Sequence, residues 1–305
     1  MEQSAVFDSV ESPPAKQGVS QTDLPFFARN WRNLGWVSGQ GMMATIPGAL
    51  CPTDSEATRK PSEAPARRNY MFSLADWGQG SGAHVYPPSV RNAFRVDDKI
   101  DLGGIGDGTS NTIAMSEKLI FVNGSVDYRR NPIRAGDAGY NHSGAFSNSA
   151  AGNPSVCSGA RGGSYEYRPG YEVIVYPETS NLDHAVGHNY FEPKLSGFTT
   201  ISPPNHPFCS NRPTTNDPNI GDAVYIMPPS SMHTGGVNAL LFDGAVRFVS
   251  DTVDAGDQSS PVVTPAQNGN NTTNGNNDGA LRASPSNYGV WGGMGTIDSG
   301  ESVSL

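Results

Sequence analysis

The sequence predicts an α+β fold, mostly antiparallel β-sheet, with long loops and little helix. Three observations lead there. Gly and Pro number 36 and 24 in 305 residues, a composition that favours turns and disfavours helix interiors. No long run carries helical periodicity. In residues 237–249, alternate positions on both sides of an Asp-Gly pair, Asp243 and Gly244, form one purely apolar face and one mixed face, which is a hairpin pattern.

The elements follow in chain order. Residues 1–10 are expected to form a short helix with Ala5, Val6 and Val10 on one side. Pro13, Pro14 and Pro25 make residues 11–25 a loop. Residues 45–55 read as a short apolar segment ending in a turn, and 56–68 as polar and exposed. Residues 69–77 read as a buried strand. Asp107-Gly108 marks a turn, and Thr112 to Glu117 the strand after it. Residues 171–177 are a further strand, and 178–222 are loop-rich. In the hairpin, a two-residue type I′ loop at Asp243-Gly244 sets Leu241 opposite Val246 and Ala239 opposite Phe248. Val237, Ala239, Leu241, Val246 and Phe248 then share the core-facing side. Asn238, Leu240, Phe242, Ala245, Arg247 and Val249 share the other. Asn, Gly and Thr dominate 254–287, which is expected to be a flexible low-complexity loop. Residues 288–302, with Trp291 and Met294, return to packable sequence. The whole chain, 1–305, reads as one domain.

Charge and composition exclude several functions. The net charge is −9 and the pI about 5.1, and no basic cluster is large enough to bind nucleic acid. Arg67-Arg68 reads as a solvated loop. No run of 18 apolar residues exists to span a membrane, and no signal peptide is visible. P-loop and dinucleotide fingerprints are absent, so no nucleotide cofactor is expected. An acidic, polar surface suits a protein outside the cytosol. The three cysteines, Cys51, Cys157 and Cys209, show no CxxC spacing, which argues against a structural zinc site. Cys157 and Cys209 lie in loop-like surroundings and are the first choice for a disulfide if the protein is exported. Cys51 would then be a buried free thiol. All three could equally be reduced, because spacing does not measure separation.

Candidate chemistry is sparse. His184 and His188 stand four apart, but Gly187 lies between them and no helical pattern would bring them to one face. A polar loop without metal is the stronger reading. Asp107, Ser110 and Asn111 carry oxygens compatible with calcium, beside the stronger reading of a turn in which such side chains bond nearby backbone. Ser231, His233 and Asp243 are the residue types of a hydrolytic triad, yet no GxSxG elbow is present. A six-residue strand of roughly 20 Å, at about 3.3 Å per residue, separates His233 from the hairpin tip. His233 is therefore expected to cap or bond backbone at the strand entry, helped by Gly235-Gly236. No enzyme activity and no cofactor are expected.

Several segments, in order, resemble the pseudopilin-like H-X9-DG family, domain of unknown function 1559. HTGGVNALLFDG holds His233, nine residues, then Asp243 and Gly244. DGTSNT, with Asp107, Gly108 and Asn111, is followed by Glu117 where the family has a Glu. CPTD at Cys51 to Asp54 resembles its Cys-Pro-Ser-Asp. SPPNHPFC, GVWGGMGT and MEQSAVFDSV are also similar, so the resemblance covers nearly the whole chain. It implies a pilin-like fold and an exported, non-enzymatic structural protein of the cell envelope or extracellular space. It implies self-association or pairing with other pilin-like subunits, as in type II secretion and type IV pilin systems. The family's leader and long apolar helix, which anchor its precursors in the inner membrane, are not in this sequence. The chain is therefore expected to correspond to the soluble part downstream of that helix. The competing expectation is an extracellular binding module for glycans, with Trp77, Trp291, Tyr165 and Tyr167 as stacking surfaces.

Overall fold

A computed structural model describes residues 45–59, 67–76, 91–94, 100–133, 154–171, 197–210, 225–260 and 284–301, with 173, 187 and 303. The segments expected at 1–10, 11–25 and most of 171–222, including His184 and His188, lie outside these residues, as does Trp77.

The frame is a five-stranded mixed sheet in the order β3-β1-β2-β6-β7. Its strands are β1 (Tyr70–Ser73), β2 (Ile113–Glu117), β3 (Gly197–Phe198), β6 (Gly236–Leu241) and β7 (Val246–Ser250). Three of the pairings are antiparallel, and β3 alone runs parallel to β1. A second ladder pairs β4 (Cys209–Ser210) with β5 (Tyr225–Ile226). Helix among the described residues is limited to α1 (Pro154–Ser158) and α2 (Gly289–Gly293), with short 3-10 turns at Pro47–Ala49 and Leu102–Gly104. The scarcity of helix follows from the Gly and Pro content.

The inner face of the sheet carries Met71, Ile113, Val237, Ala239, Leu241 and Val249, all buried. Phe198 on β3 extends this face, and Phe208, Trp291 and Met294 pack in the same core. Trp291 is fully buried on α2 and donates its indole N–H to the Ser202 carbonyl at 2.9 Å. The Ile113 amide donates to the Met294 carbonyl, so the chain's last packable segment is stitched to β2. A second apolar cluster surrounds a disulfide between Cys157 on α1 and Cys209 on β4, whose Cα atoms lie 6.0 Å apart.

The hairpin forms, but one residue out of the expected register. Leu240 pairs with Val246, Asn238 with Phe248, and Val237 with Val249. The Leu241 carbonyl accepts from Gly244 at 3.0 Å and its amide donates to Ala245 at 2.8 Å, closing a three-residue loop, Phe242-Asp243-Gly244. Only Gly244 among them has a positive φ, +88°. A type I′ turn would need Asp243 there too, so this is a turn with a glycine bulge instead. Because side chains alternate with period two, the slip turns β7 over. Val249 goes into the core, while Val246 and Phe248 are 65% and 52% exposed. The expected burial of Phe248 is thereby overturned. The tip is held from outside the hairpin, since Asp243 and Phe242 donate their amides to the Thr109 and Thr112 carbonyls at 3.1 Å.

The opposite face of the sheet remains partly open. Phe72, Met115, Leu240 and Val246 are paired in register straight across four strands. Phe72 also packs on Phe94, with ring centroids 4.5 Å apart, and Phe94 stacks on Phe242 at 5.7 Å.

Two further expectations change. Ala57 and Arg67 are buried, and Arg67 pairs with Glu56 at 3.2 Å. The segment 56–68 is therefore not uniformly exposed, because an ion pair lets the arginine stem pack. Residues 254–260 and 284–287 are also ordered against each other. Asp254 accepts from the Trp291 amide, and Asp257 donates its amide to Asn287. The part of the expected flexible loop at 261–283 lies outside the described residues.

Candidate functional site

Three separate segments converge at the ends of β2 and β6. Glu117 is the last residue of β2 and faces Tyr70 across the ladder. His233 lies in the turn that enters β6. There Gly235 takes φ +81°, and Gly236 has no room for a Cβ, which would strike the Val249 carbonyl. Cys51 follows the Pro47–Ala49 turn, and its amide is fixed by the Asn69 carboxamide oxygen at 2.9 Å. His233 Nε2 and Glu117 Oε1 lie 3.1 Å apart. The ligand atoms of Cys51, Glu117 and His233 all lie within 4.8 Å of one another. Cys51 is a buried free thiol, 3.0 Å from the Thr53 hydroxyl. Glu117 is buried and accepts from the Asn238 amide at 2.8 Å and its carboxamide at 3.3 Å. His233 is the open member, its side chain 34% exposed. Beside them, burial first, then the Cys51 and Glu117 charges, raises the Tyr70 phenol above its usual value.

Beneath this cluster lies a buried polar network. Asp54 accepts from Asn69, Arg130 and the Ile120 amide at 2.8, 2.8 and 3.1 Å. Burial pushes its carboxyl up, but Arg130 and the Ile120 and Glu56 amides outweigh that and hold it below the usual range. Fully buried Lys118 donates to the Arg129 carbonyl at 2.7 Å and sits over the Phe208 ring. Burial lowers its ammonium pKa to about 7. The network ties the Cys-Pro-Thr-Asp turn to the strand carrying Glu117.

The other sequence candidates have different surroundings. His233 does not cap backbone through its ring, which bonds Glu117; only its amide is used locally, donating to Ser231 Oγ at 3.0 Å. The Ser231 hydroxyl donates to the Gly236 carbonyl at 2.7 Å. Asp243 stays at the exposed tip, accepting from the Ala245 amide at 2.9 Å. Ser231, His233 and Asp243 are therefore not brought together as a triad. Asp107 closes the C-terminal loop: its carboxylate accepts from the Ser299 and Gly300 amides at 2.8 and 2.9 Å. Asn111 donates to the Asp107 carbonyl at 3.2 Å, Thr112 Oγ1 donates to the Gly108 carbonyl at 3.1 Å, and Ser110 is exposed. Both Asp107 carboxylate oxygens thus already receive N–H donors. Of the aromatics, Trp291 and Tyr167 belong to the core, and Tyr165 packs beneath the Arg129 guanidinium at 3.8 Å.

Sequence reasoning missed Cys51 as a neighbour of Glu117 and His233. The only signal was that all three fall in motifs carrying the resemblance.

These features define a sheet-rich domain whose scattered short motifs meet in one Cys-Glu-His cluster and one hairpin-tip clasp. The chain belongs to the family described as protein of unknown function, DUF1559, which matches residues 1–256. Helix α2 and Trp291 lie beyond that match, yet complete the core. No curated protein and no solved structure matches the chain.

Proposed function

We propose that this chain is an exported, non-enzymatic structural protein of the pseudopilin type, acting at the cell envelope by associating with itself or with pilin-like subunits. The observation that carries the reading is the open sheet face. Val246, Phe248, Phe72 and Phe94 are 65%, 52%, 37% and 36% exposed, and Phe72, Met115, Leu240 and Val246 lie in one row. Half-exposed Met115 and Leu240 link the exposed edges of that row, and an apolar patch left open on a sheet suits association with a partner. The Cys157–Cys209 disulfide supports export, since such bonds persist in oxidising compartments.

Sedimentation velocity over a concentration series tests the reading, with Val246→Lys/Phe248→Glu as the disrupted variant. The wild type should associate with rising concentration, and the variant should stay monomeric with an unchanged thermal melt. A wild type that is monomeric throughout refutes self-association through this face.

A further inference from the structure

We propose that Cys51, Glu117 and His233 form a zinc-binding site. The donor set is one thiol, one imidazole and one carboxylate, each from a different segment. The set suits a borderline-soft divalent ion, because the thiolate disfavours calcium and magnesium. Tetrahedral zinc, with bonds of about 2.0–2.3 Å, needs its ligand atoms about 3.3–3.6 Å apart. The His233–Glu117 pair already stands at 3.1 Å, and no distance in the set exceeds 4.8 Å. Side-chain rotation of roughly an ångström closes the remainder.

The surroundings fit a held ion. Asn238 orients the Glu117 carboxylate with two donors, and Asn69 fixes the Cys51 backbone. Partners of this kind position ligands in metal sites. His233, partly exposed, provides the entry path, and three protein ligands leave the fourth position to water. Binding ionises the Cys51 thiol and releases its proton to solvent. The absence of CxxC spacing is no obstacle, because the sheet supplies the proximity that sequence spacing lacks.

Cys157 and Cys209 are tied in the disulfide, so Cys51 is the only thiol among the three cysteines. A thiolate signal is therefore unambiguous. The test titrates the whole, chelator-stripped chain, disulfide intact, with Zn(II) and Co(II). Zinc affinity is read by competition with a chromophoric chelator. The expected result is one ion per chain, a near-ultraviolet thiolate-to-cobalt band, and slowed alkylation of Cys51 on adding zinc but not calcium. Cys51→Ser should abolish the band, and Cys51→Ser and His233→Gln, each removing a ligand, should weaken zinc by more than the about 10–100-fold that loss of an outer partner costs. Thermal melts of the metal-free variants separate lost binding from lost folding. Absence of stoichiometric binding overturns the proposal, as does affinity unchanged in a folded Cys51→Ser. Should that variant not fold, a wild-type Cys51 alkylation rate indifferent to zinc overturns it as well.

Discussion

Replacing Lys118 with methionine should change how the stability of this fold depends on pH. The Lys118 side chain is wholly buried, and burial brings its ammonium pKa from 10.5 to about 7. Below pH 7 folded and unfolded chains both hold the proton, and the full cost of burying the charge is present. Between about 7 and 10.5 only the unfolded chain holds it. Stability must then rise with pH, by at most about 1.4 kcal/mol per unit. Integrated over that window, the recovered stability is on the order of 4 kcal/mol. Methionine keeps an unbranched apolar stem against Phe208, whose ring lies 5.3 Å from Nζ. The Arg129 carbonyl that Lys118 engages is also bonded by Ser230 Oγ at 2.9 Å, so it is not orphaned. The variant should therefore equal or exceed the wild type in stability at pH 6, and that advantage should shrink steadily toward pH 10. Urea midpoints of both proteins at unit pH steps from 6 to 10, disulfide intact, measure it. Tyr288 and Tyr167, raised by burial, draw stability down only above about pH 10 and act alike in both chains. A stability difference independent of pH would refute the argument.

Three further outcomes follow from the fold. Removing the disulfide in a Cys157→Ala/Cys209→Ala chain frees a loop with a sequence separation of 52. This should cost about 4 kcal/mol by loop entropy, read from urea denaturation. Gly244→Val should cost about 1–2 kcal/mol, because φ there is +88° while an added Cβ meets nothing within 4 Å; an unchanged melting temperature would contradict the bulged turn. Trp291→Ala should cost about 3–5 kcal/mol, since the indole is fully buried and bonded to Ser202, and calorimetry would show the loss.

What could be read from the chain was local. Alternation and β-branched or aromatic content marked β1, β2 and the hairpin strands, because a half-buried strand imposes period two on its own residues. Asp-Gly marked both turns, because Gly244 and Gly108 take φ values of +88° and +95°. The same dipeptide suits a two-residue loop and a three-residue bulged loop alike, and these differ by one step of register. Tertiary contacts chose between them. The Thr109 and Thr112 carbonyls grip the tip, and the core takes Val249 in place of Phe248. The same limit hid the Cys-Glu-His cluster. Glu117 and His233 stand 116 residues apart, and neither carries any mark of the other in its own neighbourhood. Asp107 likewise reads as a plain turn residue until Ser299, 192 positions on, donates to it. Side-chain period and turn preference act over a few residues and are written there. Register and site assembly arise from packing between distant segments, so only the folded chain could decide them.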